Sequence, residues 1–202
     1  DGILLARDDA DLHLKYAKPF LKNGLPIYID KPLAFTIKEA KKIISLQKYD
    51  GQIFSCSSNR YAKEFKLNEK QKKKIGKIRS IQAFVPKDWD KYAVHAIDPL
   101  IRIIPNRGPI LESKRIGNKY QSTLNVKYKN NLILSIFSSG QPYPPLSIRI
   151  TGTNGCLDLF ADDAFQCFKS ALNDFISSIK YKENKISIKE MLEIIKLIEL
   201  GR

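Results

Sequence analysis

The chain has 202 residues, 43 % of them apolar, which is enough for one large or two modest domains with packed cores. It has no run of about 18 apolar residues, so no membrane-spanning helix is predicted and no membrane partner is expected. The net charge of +14 would suit a nucleic-acid partner. However, the basic residues are spread along the chain, and the densest run, residues 66–77, lacks interleaved aromatic residues. We therefore expect the lysines to solvate the surface and expect no nucleic-acid partner.

The three cysteines, Cys56, Cys156 and Cys167, form no CxxC pair. An odd number without that spacing argues against a disulfide framework and against a zinc site, so we expect free thiols, a cytoplasmic location and no bound metal.

Strands and helices alternate in the first 58 residues. Apolar runs predict strands at residues 2–6, 26–30 and 52–58. Helices are predicted between them, the first capped by Asp8 or Asp9 and the second by Thr36 with Glu39. This alternation is typical of parallel βαβ units, so residues 1–58 are predicted to be part of a doubly wound, dinucleotide-binding domain.

The pattern changes after residue 58. A helix is predicted at residues 92–104, and strands are predicted at residues 77–85, 120–128, 132–138, 146–151 and 156–160. Consecutive strands joined by tight turns indicate a mostly antiparallel sheet. Residues 59–202 are therefore predicted to form an α+β domain with an open sheet.

Two amphipathic helices are predicted at the end of the chain. We expect one apolar stripe on each to lie in the core. The stripe of the first helix comprises Phe165, Phe168, Leu172, Phe175 and Ile179. The second helix begins with a capping box of Ser187 and Glu190, and its stripe comprises Met191, Ile194, Ile195 and Ile198.

Two charged residues and a proline end the strand at 26–30: Asp30, Lys31 and Pro32. In an open parallel sheet, ligands bind beyond the carboxyl ends of the strands. A lysine at that edge, held by the proline that follows, can bind a hydroxyl or a phosphate group. The alternative interpretation is an ordinary exit from the strand.

A second candidate site surrounds His95, one of only two histidines. On a helix, Tyr92 and Asp98 lie three residues to either side of it, and Lys91 lies one turn before it. An imidazole beside a carboxylate and a phenol is a plausible general base. The alternative is a structural histidine that is hydrogen-bonded to Asp98.

Together these stretches resemble a known family. "LLARDDADLH", "KNGLPIYIDKP" and "TIKEAKKII", followed by "SSNRY", "IGKIRSI", "YAVHAID" and the two closing helices, occur in the order seen in the Gfo/Idh/MocA oxidoreductases. That family includes glucose–fructose oxidoreductase and inositol dehydrogenase, and the resemblance spans nearly the whole chain.

The resemblance implies an oxidoreductase that transfers a hydride between a sugar or polyol hydroxyl and NAD or NADP. Lys31 would orient the reacting hydroxyl and His95 would exchange its proton, with Tyr92 also in the catalytic group. Trp89, Tyr92, Lys31 and His95 would line the substrate pocket. The residues expected to line the cofactor are Arg7, Asp8, His13, Asp30, Lys31, Pro32 and Arg60. The antiparallel sheet would assemble the protein into a homo-oligomer.

The chain departs from the family pattern in three ways. Asp30 takes the place of a glutamate, and Lys91 stands where many members have an aspartate four residues before the histidine. The GxGxxG fingerprint that binds the pyrophosphate is absent, and residue 1 is not methionine. We therefore expect this chain to be a C-terminal fragment that lacks the first part of the Rossmann domain and binds no cofactor tightly alone. The alternatives are an inactive relic that serves as a binding or assembly protein and, less favoured, a basic nucleic-acid binder.

Overall fold

The computed structural model describes residues 1–118 and 120–202. Two sheets organise the fold. In chain order the elements are β1 Ile3–Leu5, α1 His13–Lys22, β2 Ile27–Ile29, α2 Ile37–Ile44, β3 Ile53–Phe54, α3 Glu69–Ile75, β4 Ile78–Val85, α4 Trp89–Tyr92, α5 Val94–Ile103, β5 Ile110–Gly117, β6 Ser122–Tyr128, β7 Ile133–Ser138, β8 Ser147–Gly152, β9 Cys156–Leu159, α6 Ala164–Tyr181 and α7 Ile188–Leu200. None of the helices in the described ranges is long and apolar enough to cross a bilayer.

The first sheet is parallel, in the order β1-β2-β3. Its third strand is shorter than predicted, because Ser57 turns the chain into a 3-10 helix at Ser58–Tyr61 and caps it by accepting a hydrogen bond from Asn59 N–H. Phe175 of α6 packs on this sheet, with its ring centroid 5.6 Å from that of Tyr28 and 5.8 Å from that of Phe54. The alternation of strands and helices in this part of the chain is confirmed.

The second sheet has six strands in the order β5-β6-β7-β4-β8-β9. It is antiparallel except where β4 pairs with β7 in parallel. The predicted fold class, a parallel sheet followed by a mostly antiparallel one, is confirmed. Alternation along β6 buries Leu124, Val126 and Tyr128, while the opposite face of the sheet carries polar residues together with Phe84 and Ile133.

Two predictions about helices need correction. Neither Asp8 nor Asp9 caps α1, since Asp8 pairs with Lys91 and Asp9 pairs with Arg7. The apolar stripe of α6 is only partly buried: Phe175 is 5 % exposed, whereas Phe165 and Phe168 are 80 % and 58 % exposed and Leu172 is also exposed. The helical period identified the stripe correctly, but nothing in the described chain covers its first half. The stripe of α7 is buried as predicted.

Candidate active site

Lys31 lies at the carboxyl edge of the parallel sheet. The backbone N–H of Asp30 donates to Leu5 O (3.0 Å), which fixes the end of β2 against β1. The ammonium of Lys31 lies 3.5 Å from Asp30 Oδ2, and the two side chains are 21 % and 33 % exposed. The peptide bond to Pro32 is cis. Lys31 is thus a partly buried cation at the edge where ligands of open parallel sheets bind.

His95 lies in the first turn of α5, directly after the short helix α4, which is capped by Asp88. Its Nδ1 lies 2.8 Å from Ser57 Oγ. Its Nε2 has no hydrogen-bond partner among the described residues. This atom is also not fully buried. The free nitrogen is therefore available to a ligand.

Lys31 lies near His95: it lines one small pocket together with Val94, the neighbour of His95, and its charge acts on the imidazole. Burial, with a further contribution from the positive charge of Lys31, lowers the pKa of His95 to about 4. The imidazole is consequently neutral at pH 7, so it can accept or donate a hydrogen bond to a substrate oxygen.

Asp98 does not contact the imidazole, although sequence spacing suggested that it would. Its Oδ1 accepts a hydrogen bond from Arg60 Nη1 (2.7 Å) and its Oδ2 accepts one from the backbone N–H of Ser57 (2.8 Å). The carboxylate is fully buried on the side of α5 that faces the chain after β3. The partner of His95 is therefore Ser57, and the structural interpretation based on Asp98 is wrong.

Tyr92 flanks His95 with a ring centroid separation of 5.7 Å. Its hydroxyl accepts a hydrogen bond from Lys87 Nζ (2.7 Å). Lys87 was not predicted as a site residue. It has a left-handed backbone (φ 57°), and its backbone N–H donates to Gln141 O while its carbonyl accepts from Gly140 N–H. Lysine rarely adopts this conformation, so the strained backbone fixes the position of a cation beside Tyr92.

The residues expected to line the cofactor are not all open to a ligand. His13 is fully buried, with its Nδ1 3.2 Å from Leu33 O and its Nε2 2.9 Å from Arg7 O. Arg7 forms two hydrogen bonds with Asp9, and these raise the pKa of its guanidinium. Arg7, Asp8 and Asp30 line a shallow hollow at the carboxyl edge, together with Ala6 and Asp9.

Trp89 and Arg60 have structural partners. Trp89 is 3 % exposed and its indole N–H donates to Ile198 O (3.0 Å). Arg60 is 7 % exposed and binds both Asp98 and Glu190. The indole N–H of Trp89 and both terminal nitrogens of Arg60 are therefore bound within the protein. The site comprises Lys31, Tyr92 and His95, together with Ser57 and Lys87.

Two large cavities lie near these elements. A cleft of about 900 Å³ runs beside the site and is lined by Lys87, Trp89 and Lys91 together with Asp8 and Asp9. A larger one of about 1160 Å³ lies between α2, α5 and α7, and none of the predicted site residues lines it. Among the described residues, no group of three or more His, Cys, Asp or Glu side chains is placed to hold a metal ion.

Comparison with known proteins identifies the fold. No protein-family model and no curated protein matches the chain. Solved structures do match it, and a crystal structure of myo-inositol 2-dehydrogenase from Lactobacillus plantarum superposes with a TM-score of 0.79 at 12 % identity. That match covers 98 % of this chain and 76 % of the dehydrogenase.

Two further structures agree. Scyllo-inositol dehydrogenase from Lactobacillus casei, solved with bound NAD(H) and scyllo-inositol, matches with a TM-score of 0.76 at 13 % identity, over 100 % of this chain and 76 % of that one. UDP-N-acetylglucosamine 3-dehydrogenase from Acidithiobacillus ferrooxidans also gives a TM-score of 0.76, at 12 % identity, over 100 % of this chain and 78 % of that one. The fold is therefore that of the Gfo/Idh/MocA oxidoreductases, as the sequence resemblance implied.

The residues present fit a nicotinamide cofactor only in part. At the carboxyl edge of the parallel sheet, the side chains of Asp30 and Lys31 are partly exposed and can be reached by a ligand. No glycine-rich turn follows β1, and α1 begins at the buried ring of His13. The described chain therefore has no backbone cradle for a pyrophosphate after β1.

Proposed function

We propose that this chain carries the substrate-binding and proton-transfer part of an NAD(P)-dependent oxidoreductase that acts on a hydroxyl group of a sugar or polyol. The observation that supports this most is the convergence of Lys31 and neutral His95 at the carboxyl edge of a parallel sheet. The dehydrogenases that share the fold act on such molecules according to their names, which favours the same class of substrate.

Lys31 and His95 would hold the reacting oxygen between them. A charge-assisted hydrogen bond from the Lys31 ammonium stabilises negative charge that develops on that oxygen. Burial of His95 keeps its ring neutral, so the two groups differ in charge and do not repel each other. Tyr92, which is held by Lys87, would form one wall of the pocket. The cofactor, once bound, would accept or supply the hydride.

Activity against a panel of substrates tests the proposal. The complete gene product that contains these 202 residues, called the full polypeptide below, is incubated with inositols, aldoses and sugar nucleotides in the presence of NAD⁺ or NADP⁺, and nicotinamide reduction is followed by absorbance. We expect reduction with at least one polyol or sugar, and its loss in Lys31→Met. No reduction with any member of the panel would contradict the proposal.

A second candidate is a binding or assembly protein derived from this fold. It is favoured by the buried partners of His13 and Arg60, which occupy polar groups that were expected to face the cofactor. Titration of NADH into these 202 residues, followed by nicotinamide fluorescence, tests whether this chain alone binds the cofactor. We expect no submicromolar binding to this chain, and tight binding would show that the chain needs no further segment for its cofactor.

A further inference from the structure

Ser57 occupies the place that an orienting partner takes beside a catalytic histidine. Its Oγ lies 2.8 Å from His95 Nδ1, and no carboxylate among the described residues contacts that ring. The backbone and the side chain of Ser57 are both held in place. Its backbone N–H donates to Asp98 Oδ2 (2.8 Å), and its Oγ accepts from Asn59 N–H (3.2 Å). The partner of one ring nitrogen decides where the proton of a neutral imidazole resides.

The hydrogen bonds available to the Ser57 hydroxyl determine which atom donates in the bond between Ser57 Oγ and His95 Nδ1. A hydroxyl has one proton to donate and two lone pairs. Asn59 N–H uses one lone pair. If Nδ1–H also donated to Oγ, the hydroxyl proton would need another acceptor, but Ser57 is 0 % exposed and none is present among the described residues. A buried donor without an acceptor is unfavourable, so Oγ–H donates to Nδ1.

We infer that Ser57 is the positioning residue of His95 and holds its proton on Nε2, so that the ring presents an N–H donor to the substrate oxygen. For the substrate this inference rests on the proposed function. In this tautomer Nε2 already bears a proton and cannot take another. His95 therefore polarises the oxygen, and the proton is exchanged by Lys31.

The proton balance is simplest in the reductive direction. An N–H bond of the Lys31 ammonium breaks, an O–H bond forms on the carbonyl oxygen, and Lys31 is left as a neutral amine. The carbonyl carbon gains the hydride that the reduced nicotinamide of the proposed function supplies. His95 Nε2–H donates to the same oxygen throughout and remains neutral.

Nitrogen NMR of the histidine rings tests the tautomer without any need for activity. The chain has only two histidines, so protein labelled with ¹⁵N-histidine gives two ring patterns, and His95→Gln assigns them. At pH 7 we expect His95 to show a bare Nδ1 and a protonated Nε2. A protonated Nδ1 with a bare Nε2 would overturn the inference, whatever the enzyme assay shows.

Variants of Ser57 and Ser58 distinguish a role of Ser57 in positioning His95 from a role in folding. Ser57→Ala should produce a mixture of both tautomers at His95, and Ser57→Thr should restore the Nε2–H form. Ser58→Ala is the matched control, because Ser58 is also buried but its hydroxyl forms no hydrogen bond to a described residue. An unchanged His13 pattern shows that the variants remain folded, and an unchanged His95 tautomer in folded Ser57→Ala would contradict the inference.

In the active full polypeptide, Ser57→Ala should lower kcat by about 10–100-fold, by analogy with loss of the hydrogen-bond partner of a metal-binding histidine, with little change in KM. Ser57→Thr should recover most of that loss. If no substrate is found, the NMR result alone decides whether Ser57 sets the tautomer of His95. A protein that is active but shows the Nδ1–H tautomer would contradict only the role of Ser57.

Discussion

Arg60 and Asp98 form an ion pair beneath the candidate active site, with Nη1 2.7 Å from Oδ1 and the side chains 6 % and 0 % exposed. Burial raises the pKa of Asp98, while the charge of Arg60 and the N–H of Ser57 oppose that rise. The pair connects the chain after β3 to α5, the helix that bears His95. Removal of one partner would leave the other as a buried charge without compensation.

Asp98→Ala should therefore lower the free energy of unfolding by about 3–5 kcal/mol. The matched control is Asp9→Ala, which breaks the exposed pair between Arg7 and Asp9 and should change the stability far less, because water screens that pair. Urea unfolding followed by circular dichroism measures both. Equal losses in the two variants would show that the buried pair does not hold α5 in place.

Loss of either proposed catalytic group should reduce turnover and leave stability nearly unchanged. We expect Lys31→Met, which removes the proton-transfer group, to lower kcat of the full polypeptide by about 10²–10⁴. His95→Ala, which removes a hydrogen-bond donor to the reacting oxygen, should lower it by about 10²–10³. The double variant should lose less than the sum of the two free energies, because the groups act on one oxygen. Lys38→Met, an exposed lysine of α2, is the control and should keep its activity. If His95→Ala retains more than about half of kcat, the residue is structural.

The lowered pKa of His95 predicts a pH dependence of stability. The folded-state pKa of about 4 lies below the ordinary value of 6.5, because burial and then the charge of Lys31 disfavour the imidazolium. The unfolded chain therefore takes up this proton first. The contribution of His95 is fully present above pH 6.5 and is lost as the pH falls towards 4.

His95→Gln isolates this effect, since Lys31, Tyr92 and the other histidine, His13, remain in the variant. Between pH 6.5 and 4 the stability of the wild type should fall more steeply than that of the variant, by up to about 1.4 kcal/mol per pH unit. Urea unfolding at half-unit pH steps measures the difference. Parallel profiles would mean that His95 titrates as an ordinary exposed histidine.

We also predict that the open face of the six-stranded sheet assembles the protein into a homo-oligomer. Phe84 and Ile133 are 38 % and 50 % exposed there, and the rings of Phe84 and Phe137 pack edge to face with centroids 5.8 Å apart. Ile133→Lys should shift the mass of the full polypeptide towards the monomer in light scattering. Tyr181→Glu, an exposed position at the end of α6, should not. A wild type that is monomeric at tens of micromolar would contradict this prediction.

Local signals predicted most of the fold. Alternation located β6 and β8, and the helical stripe of α7 is buried as expected. Strand β5 was missed because it is mostly exposed and its central residues are polar or charged, so it carries no apolar period. The parallel pairing of β4 with β7 joins strands that are distant in sequence, and local patterns do not encode such a register.

The candidate site was less predictable. Lys31 and His95 stood out as charged or titratable groups at the ends of apolar elements. Helical spacing placed Asp98 near His95, but it could not show that Arg60 would draw the carboxylate to the buried side. Ser57 is one serine of a serine-rich stretch, and its contact with His95 spans 38 positions. Lys87 is held in place by its left-handed backbone conformation, and nothing in the sequence indicates that a lysine adopts this conformation.

Transfer of an isotopic label tests the central claim most directly. The full polypeptide is incubated with NAD⁺ or NADP⁺ and an inositol that bears deuterium on its carbinol carbons, and the reduced cofactor is analysed by mass spectrometry. We predict that one deuterium appears in the cofactor, at a rate that Lys31→Met and His95→Ala reduce and Lys38→Met does not. Absence of deuterium in the cofactor with every labelled inositol and sugar tested, or label transfer that Lys31→Met leaves unchanged, would contradict the account.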